Sequence, residues 1–184
     1  THCHADHTHG VDDIRVFSAR RQGELEVYAD PNCVALLSRK FDYAFDPDVV
    51  PLAGTSKPDA RLHAYQAYEP LEVAGFQITP LPVPHGEIEA FGFRIGNLGY
   101  ITDAKRLPER TREALAGVRV LVLNALWDGA PHPTHFNVEE AVEAARAVGA
   151  ERTYLTHLSH RVLHAELAES LPPGIGPAYD GLSG

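Results

Sequence analysis

From residue 76 onward the chain repeats one unit: an apolar strand stops on a polar, chemistry-bearing residue and gives way to a loop or helix. Residues 76–83 read as a strand that stops at Pro84-His85-Gly86. Residues 90–95 and 98–102 read as a hairpin around Gly96-Asn97 whose second arm ends on Asp103. The β-branched and leucine run 118–124 has the composition of a strand covered on both faces, and residues 152–156 form a last strand that ends on His157. Between them, residues 108–116 have helical composition. A second helix opens at Asn137, where Asn137 and Glu140 have capping-box spacing, Val138, Ala141, Val142, Ala145 and Val148 make an apolar stripe, and Gly149 is the stop. Interleaved helices and strands give an α/β or α+β chain with covered sheets.

The first third is less regular. A helix is expected over residues 11–19 with Asp12 and Asp13 in its first turn, and a short strand over 25–28. Asp30-Pro31 then caps and opens a helix that runs to about Phe41. Residues 47–70 read as loop with one strand near 62–68. At 184 residues and 44% hydrophobic content, the expectation is a single domain over 1–184. No apolar run approaches the roughly 18 residues that a membrane span needs, and no signal peptide is visible. The two cysteines are Cys3, between two histidines, and Cys33, inside a helix; they give no disulfide framework and suggest a reducing, cytoplasmic setting. A formal net charge of −9 with scattered Lys and Arg argues against a large nucleic-acid surface.

The strongest chemical signal lies among the 11 histidines, in His2-x-His4-x-Asp6-His7. In an extended segment residues two apart point the same way, so His2 and His4 can grip one ion while Cys3 faces elsewhere. Asp6 and His7, past the bend, could hold a second ion at the roughly 3.5–4 Å separation used by two-metal hydrolases. A histidine-rich tag or metal-binding tail is the bland alternative.

Thr1-His2-Cys3-His4-Ala5-Asp6-His7 resembles the H-x-H-x-D-H signature of the metallo-β-lactamase superfamily, and later pieces follow in that family's order. His85 resembles the third histidine ligand, Asp103 the aspartate that bridges both metals, and His157 the final histidine. The resemblance implies an αββα sandwich, here without its first N-terminal strands and so a truncated domain, with metals at the strand ends. It implies two divalent cations: His2, His4, His85 and Asp103 on one, Asp6, His7, His157 and shared Asp103 on the other. Asp6 thus counts among both the ligands and the catalytic groups. Nitrogen and oxygen donors suit Zn, Mn or Fe without selecting among them. Aspartate rather than cysteine at position 103 leans away from the antibiotic-hydrolysing branch.

His135, in His132-Pro133-Thr134-His135-Phe136, resembles a non-ligand histidine of the superfamily's phosphodiesterases, among them the cyclic ribose phosphodiesterase of carbon–phosphorus lyase pathways. There it would give a proton or hydrogen bond to the phosphate. The alternative is a histidine that packs against the helix start. The implied function is hydrolysis of a small or cyclic phosphodiester by a metal-bridging hydroxide. A thioesterase or lactonase on the same site, or a non-catalytic metal-binding module, are the rivals. A homodimer is admitted, His132 and His160 carry no assigned role, and His9, His63 and His164 read as surface residues.

Overall fold

The computed structural model describes residues 1–183 and resolves the chain into two compact units, Thr1–Gln66 and the chain from Ala67 onward. In the first unit the short helix α1 (Ala5–Thr8) is followed by a 3-10 turn over His9–Ile14, then α2 (Arg15–Arg21). The helix expected over 11–19 is therefore split: no side chain caps the backbone at Thr8 or Ile14, and the first segment takes the tighter winding common at helix ends. Strand β1 (Leu25–Ala29), helices α3 (Pro31–Lys40) and α4 (Asp42–Phe45), and strand β2 (Ala60–Ala64) complete the unit. The two strands pair in parallel, Leu25 opposite Ala60 through Ala29 opposite Ala64, with the helices as their crossover. This register places β2 slightly earlier than the strand read near 62–68.

Helix α3 starts as its sequence requires. Asp30 accepts hydrogen bonds from the Asn32 and Cys33 amides at 3.0 and 3.2 Å, and Pro31 takes the first turn, where a missing N–H costs nothing. Its buried side chains are Cys33 and Leu37. Cys3 and Cys33 were expected to stand unpaired, but the structure joins them in a disulfide across a Cα separation of 5.7 Å. The short linear distance between an N-terminal turn and the first turn of α3 is invisible in a sequence separation of 30. Their pairing also removes the ground on which a reducing setting was expected.

The second unit is a seven-stranded sheet of order β3 (Leu71–Val73), β4 (Phe76–His85), β5 (Ile88–Ile95), β6 (Leu98–Ile101), β7 (Val120–Asn124), β8 (Arg152–Thr156) and β9 (Ile175–Pro177). The first four are antiparallel neighbours and the last four parallel ones. Parallel neighbours need crossovers, supplied by α5 (Glu109–Ala114), α6 (Val138–Val148) and α7 (His164–Ser170). Leu81, Val83, Ile101, Leu121, Leu123 and Leu155 are buried to within 1% of complete exclusion and form the core, each worth about 1.5–3 kcal/mol of burial. Helix α6 has the expected capping box: Asn137 Oδ1 accepts from the Glu140 amide at 2.8 Å and Glu140 Oε2 from the Asn137 amide at 3.0 Å. Strands β3 and β9 and helix α7 were not read from the sequence. Three-residue strands carry too little alternation to be seen.

The topology decides where chemistry can sit. Strands β4 and β6 are both antiparallel to β5 and so run the same way, and β7 and β8 are parallel to β6. The C-terminal ends of four strands therefore open on one edge of the sheet, where α/β folds place their ligands. His85, Asp103, Asn124 and His157 all fall at that edge. Among the described residues no helix is long and apolar enough to cross a membrane.

Candidate metal centre

In the second unit four sequence-predicted residues converge. His135 Nε2 lies 3.3 Å and His157 Nε2 3.2 Å from the same oxygen, Oδ1 of Asp103, whose side chain is 2% exposed. The His135 ring stacks on His157 at 4.8 Å and meets His85 edge-on at 4.6 Å. Donor atoms of His85, Asp103 and His135 lie within 4.8 Å of one another. Burial pushes the Asp103 carboxyl upward. The His135 and His157 imidazoles, then the neighbouring Thr102 side chain and the His157 charge, overcome it and hold the group well below the usual carboxylate range.

Backbone hydrogen bonds lace the loops that carry these side chains. Lys105 N donates to Pro84 O at 2.8 Å, tying the Asp103 loop to the end of β4. Phe136 N donates to Ala104 O at 2.9 Å, tying the His135 loop to the Asp103 loop. Ala125 N donates to Thr156 O at 2.9 Å, joining the end of β7 to the turn that carries His157. His157 itself sits at φ 59°, a left-handed conformation uncommon outside glycine, and residues held so against steric preference cluster at functional sites. Gly86 is required next to His85: its φ is 64°, and a Cβ there would lie 2.7 Å from Thr134 Cγ2. That close approach brings the Thr134 carbonyl to 3.1 Å from His85 Nδ1, which orients the ring.

Three supporting residues were missed in the sequence. Asn124, fully buried, brackets Ala104 beside Asp103. Lys105 reaches both Glu140 oxygens at 2.6 and 2.7 Å, joining the Asp103 loop to the start of α6. Thr134 Oγ1 lies 2.8 Å from His135 Nδ1 and 3.1 Å from His132 Nδ1, so the unassigned His132 belongs to the support of His135. Burial, then the His135 and Lys105 charges, lower the His132 pKa. A polar residue closing an apolar strand, as Asn124 does, was the available signal. His160 is exposed.

The first unit gathers the other predicted ligands. His4 is extended at φ −65° and ψ 157°, and α1 opens at the next residue, so the chain bends between His4 and Asp6 as the motif requires. His2, 5% exposed, has Nε2 2.8 Å from His4 Nδ1, and its ring lies 4.3 Å from that of His7. His7 Nε2 is 3.4 Å from Asp6 Oδ2. Thr8 Oγ1 and the His7 amide both donate to His4 O, at 3.0 and 3.2 Å, which fixes the bend. Clustered imidazoles and carboxylates without thiolate donors fit a borderline or hard divalent cation in both units.

Comparison with known proteins agrees with this geometry. Residues 1–158 match the beta-lactamase superfamily domain. A crystal structure described as a new diphosphatase from the PhnP family is 36% identical, with a TM-score of 0.87 over 99% of this chain and 67% of that one. The metallo-beta-lactamase fold protein YhfI of Bacillus subtilis shares the fold, with a TM-score of 0.74 at 19% identity over 99% of this chain and 74% of that one. An octanoyltransferase of Porphyromonas gingivalis is 36% identical over 183 residues, which are 99% of this chain and 36% of that protein. The chain thus spans about a third of the length of this curated relative. The match over 158 residues and the shared fold place the chain in the metallo-β-lactamase superfamily of metal-dependent hydrolases.

Proposed function

We propose that the chain is a dinuclear metal-dependent phosphodiesterase acting on a small phosphodiester or diphosphate. The observation that carries this reading is the pair of histidines, His135 and His157, directed at one oxygen of buried Asp103 with His85 alongside. By resemblance to the superfamily's ligand pattern, His2, His4, His85 and Asp103 would hold one cation and Asp6, His7, Asp103 and His157 the other. Two such cations, Zn, Mn or Fe, would supply a water of pKa lowered toward about 7 and neutralise charge on phosphoryl oxygens. The chain's own contribution is order. Asp103 is kept ionised, His85 is oriented by the Thr134 carbonyl, and His135 is held between Thr134 Oγ1 at Nδ1 and Asp103 Oδ1 at Nε2. The diphosphatase similarity, which spans 67% of that chain against 36% of the octanoyltransferase, supports phosphoryl over acyl chemistry. A net charge of −9 supports a small substrate over a long nucleic acid.

A second reading, an acyl hydrolase on the same centre, takes its support from the octanoyltransferase similarity. His135→Ala separates the two. A phosphodiesterase using His135 as general acid loses far more turnover on alkyl phosphodiesters than on p-nitrophenyl esters, whose leaving group needs little protonation. An acyl hydrolase of thioesters or lactones keeps its rate, and equal losses on both phosphodiester types would remove the general-acid role.

A further inference from the structure

We propose that the second unit carries a nucleotide-binding cleft separate from the metal-site side chains, with Arg106 and Arg110 for the phosphates and Glu89 for the ribose. The cleft is open to solvent and has a volume of about 630 Å³; Glu89, Arg106 and Arg110 are exposed along it, and none of His85, Asp103, His135 or His157 lines it. Its apolar wall is Pro82 and Pro84 of β4 with Ile88, which is 42% exposed. Register places Glu89 directly across from Pro84.

The cationic end is built. Tyr68 sits at φ 63°, a left-handed backbone that a bulky residue rarely adopts, and its amide donates to Pro80 O at 2.8 Å. Its hydroxyl lies 3.0 Å from Thr111 Oγ1, which is fully buried and donates to Pro82 O at 2.8 Å. The ring is thereby fixed, and the Arg110 guanidinium lies over it at 3.9 Å from the centroid. Stacking by its flat face leaves the N–H edge of a guanidinium available, and that edge matches phosphate oxygens bidentately. Among the described residues neither Arg106 nor Arg110 makes an ion pair, although acidic residues outnumber basic ones by 25 to 16 in the chain. Two unpaired guanidinium groups in a cleft of so acidic a protein favour an anion there. An apolar wall suits a base, and a single carboxylate among the cations suits a vicinal diol, as acidic residues do for ribose in dinucleotide sites. The ligand class that presents all three is a nucleoside mono- or diphosphate.

The test is titration of the full chain, metal-stripped and metal-loaded, with ADP, pyrophosphate and adenosine by calorimetry. ADP is expected to bind the metal-stripped chain, and the double substitution Arg106→Ala/Arg110→Ala to weaken it at least tenfold. Glu89→Gln should weaken ADP several-fold and leave pyrophosphate unchanged. Arg110→Lys, which keeps charge but loses the flat face, should recover only part of the affinity. The single Arg106→Glu variant at the exposed rim is the check should the double variant fail to fold. Binding that requires metal and ignores the arginines would overturn the proposal. Equal affinity for ADP and pyrophosphate, or a silent Glu89→Gln, would overturn the nucleotide assignment.

Discussion

Asn124 grips Ala104 from both sides: its Oδ1 accepts from the Ala104 amide at 2.9 Å and its Nδ2 donates to the Ala104 carbonyl at 3.0 Å. The side chain is completely buried, so it fixes the residue next to Asp103 without water's help. Asn124→Leu, nearly isosteric, leaves the Ala104 amide unsatisfied at about 1–3 kcal/mol, while the Ala104 carbonyl keeps its bond from the Phe136 amide. Thermal or denaturant unfolding should show a loss of roughly 1–3 kcal/mol. Metal affinity should fall by about 10–100-fold, as for residues that orient ligands. A stable variant with unchanged metal affinity would show that Asp103 is held by other means.

Gly86→Ala tests the packing behind His85. The substitution meets two separable costs: a left-handed backbone, about 1 kcal/mol, and a clash with Thr134 Cγ2. Thr134→Ser removes that methyl and keeps the hydroxyl next to His135. The double variant should regain the steric share of the lost stability and activity, while the backbone share remains. No recovery would place the whole cost in the backbone.

The Lys105–Glu140 pair makes a pH prediction. Burial raises the Glu140 carboxyl, but the Lys105 ammonium and the Asn137 amide outweigh it and depress the folded pKa below 4.5. A carboxylate depressed on folding stabilises the fold above its unfolded pKa, and the contribution is lost as pH falls through the folded value. The side chains are 27% and 29% exposed, which discounts the pair to about 1 kcal/mol. Glu140→Gln should therefore be less stable than the parent at pH 7, and urea midpoints of the two should converge as pH falls below 4.5 and through the depressed folded value. A constant difference across that range would assign the effect to the cap alone.

The Cys3–Cys33 link closes a segment of 30 residues that includes His4, Asp6 and His7, for which chain entropy gives about 3.6 kcal/mol. Reductant should lower the melting temperature of the parent and leave Cys33→Ser, already lower, unchanged. Identical melting of the parent with and without reductant would mean that the two thiols are not bonded in solution.

Much of the second unit was legible because its strands are long and end on polar residues: β7, β8 and the capping box of α6 stand where alternation and capping chemistry put them. The disulfide was not legible, since pairing two cysteines needs the distance between a turn and a helix, not their spacing in the chain. Asn124 and Lys105 escaped for a related reason. Their importance lies in which backbone atoms they reach, and a lone Asn or Lys has many bland uses. His135 carried a family resemblance, while its neighbour His132 gained meaning only through the shared Thr134 hydroxyl.

The most direct test of the dinuclear phosphodiesterase reading is a titration of the metal-stripped chain with Zn or Mn, following hydrolysis of bis(p-nitrophenyl) phosphate against metal equivalents per chain. The account predicts no turnover without metal, a rise that saturates at two equivalents, and loss of the second equivalent in Asp103→Ala. Saturation at one equivalent, or binding of both ions with no phosphodiester turnover, would contradict it.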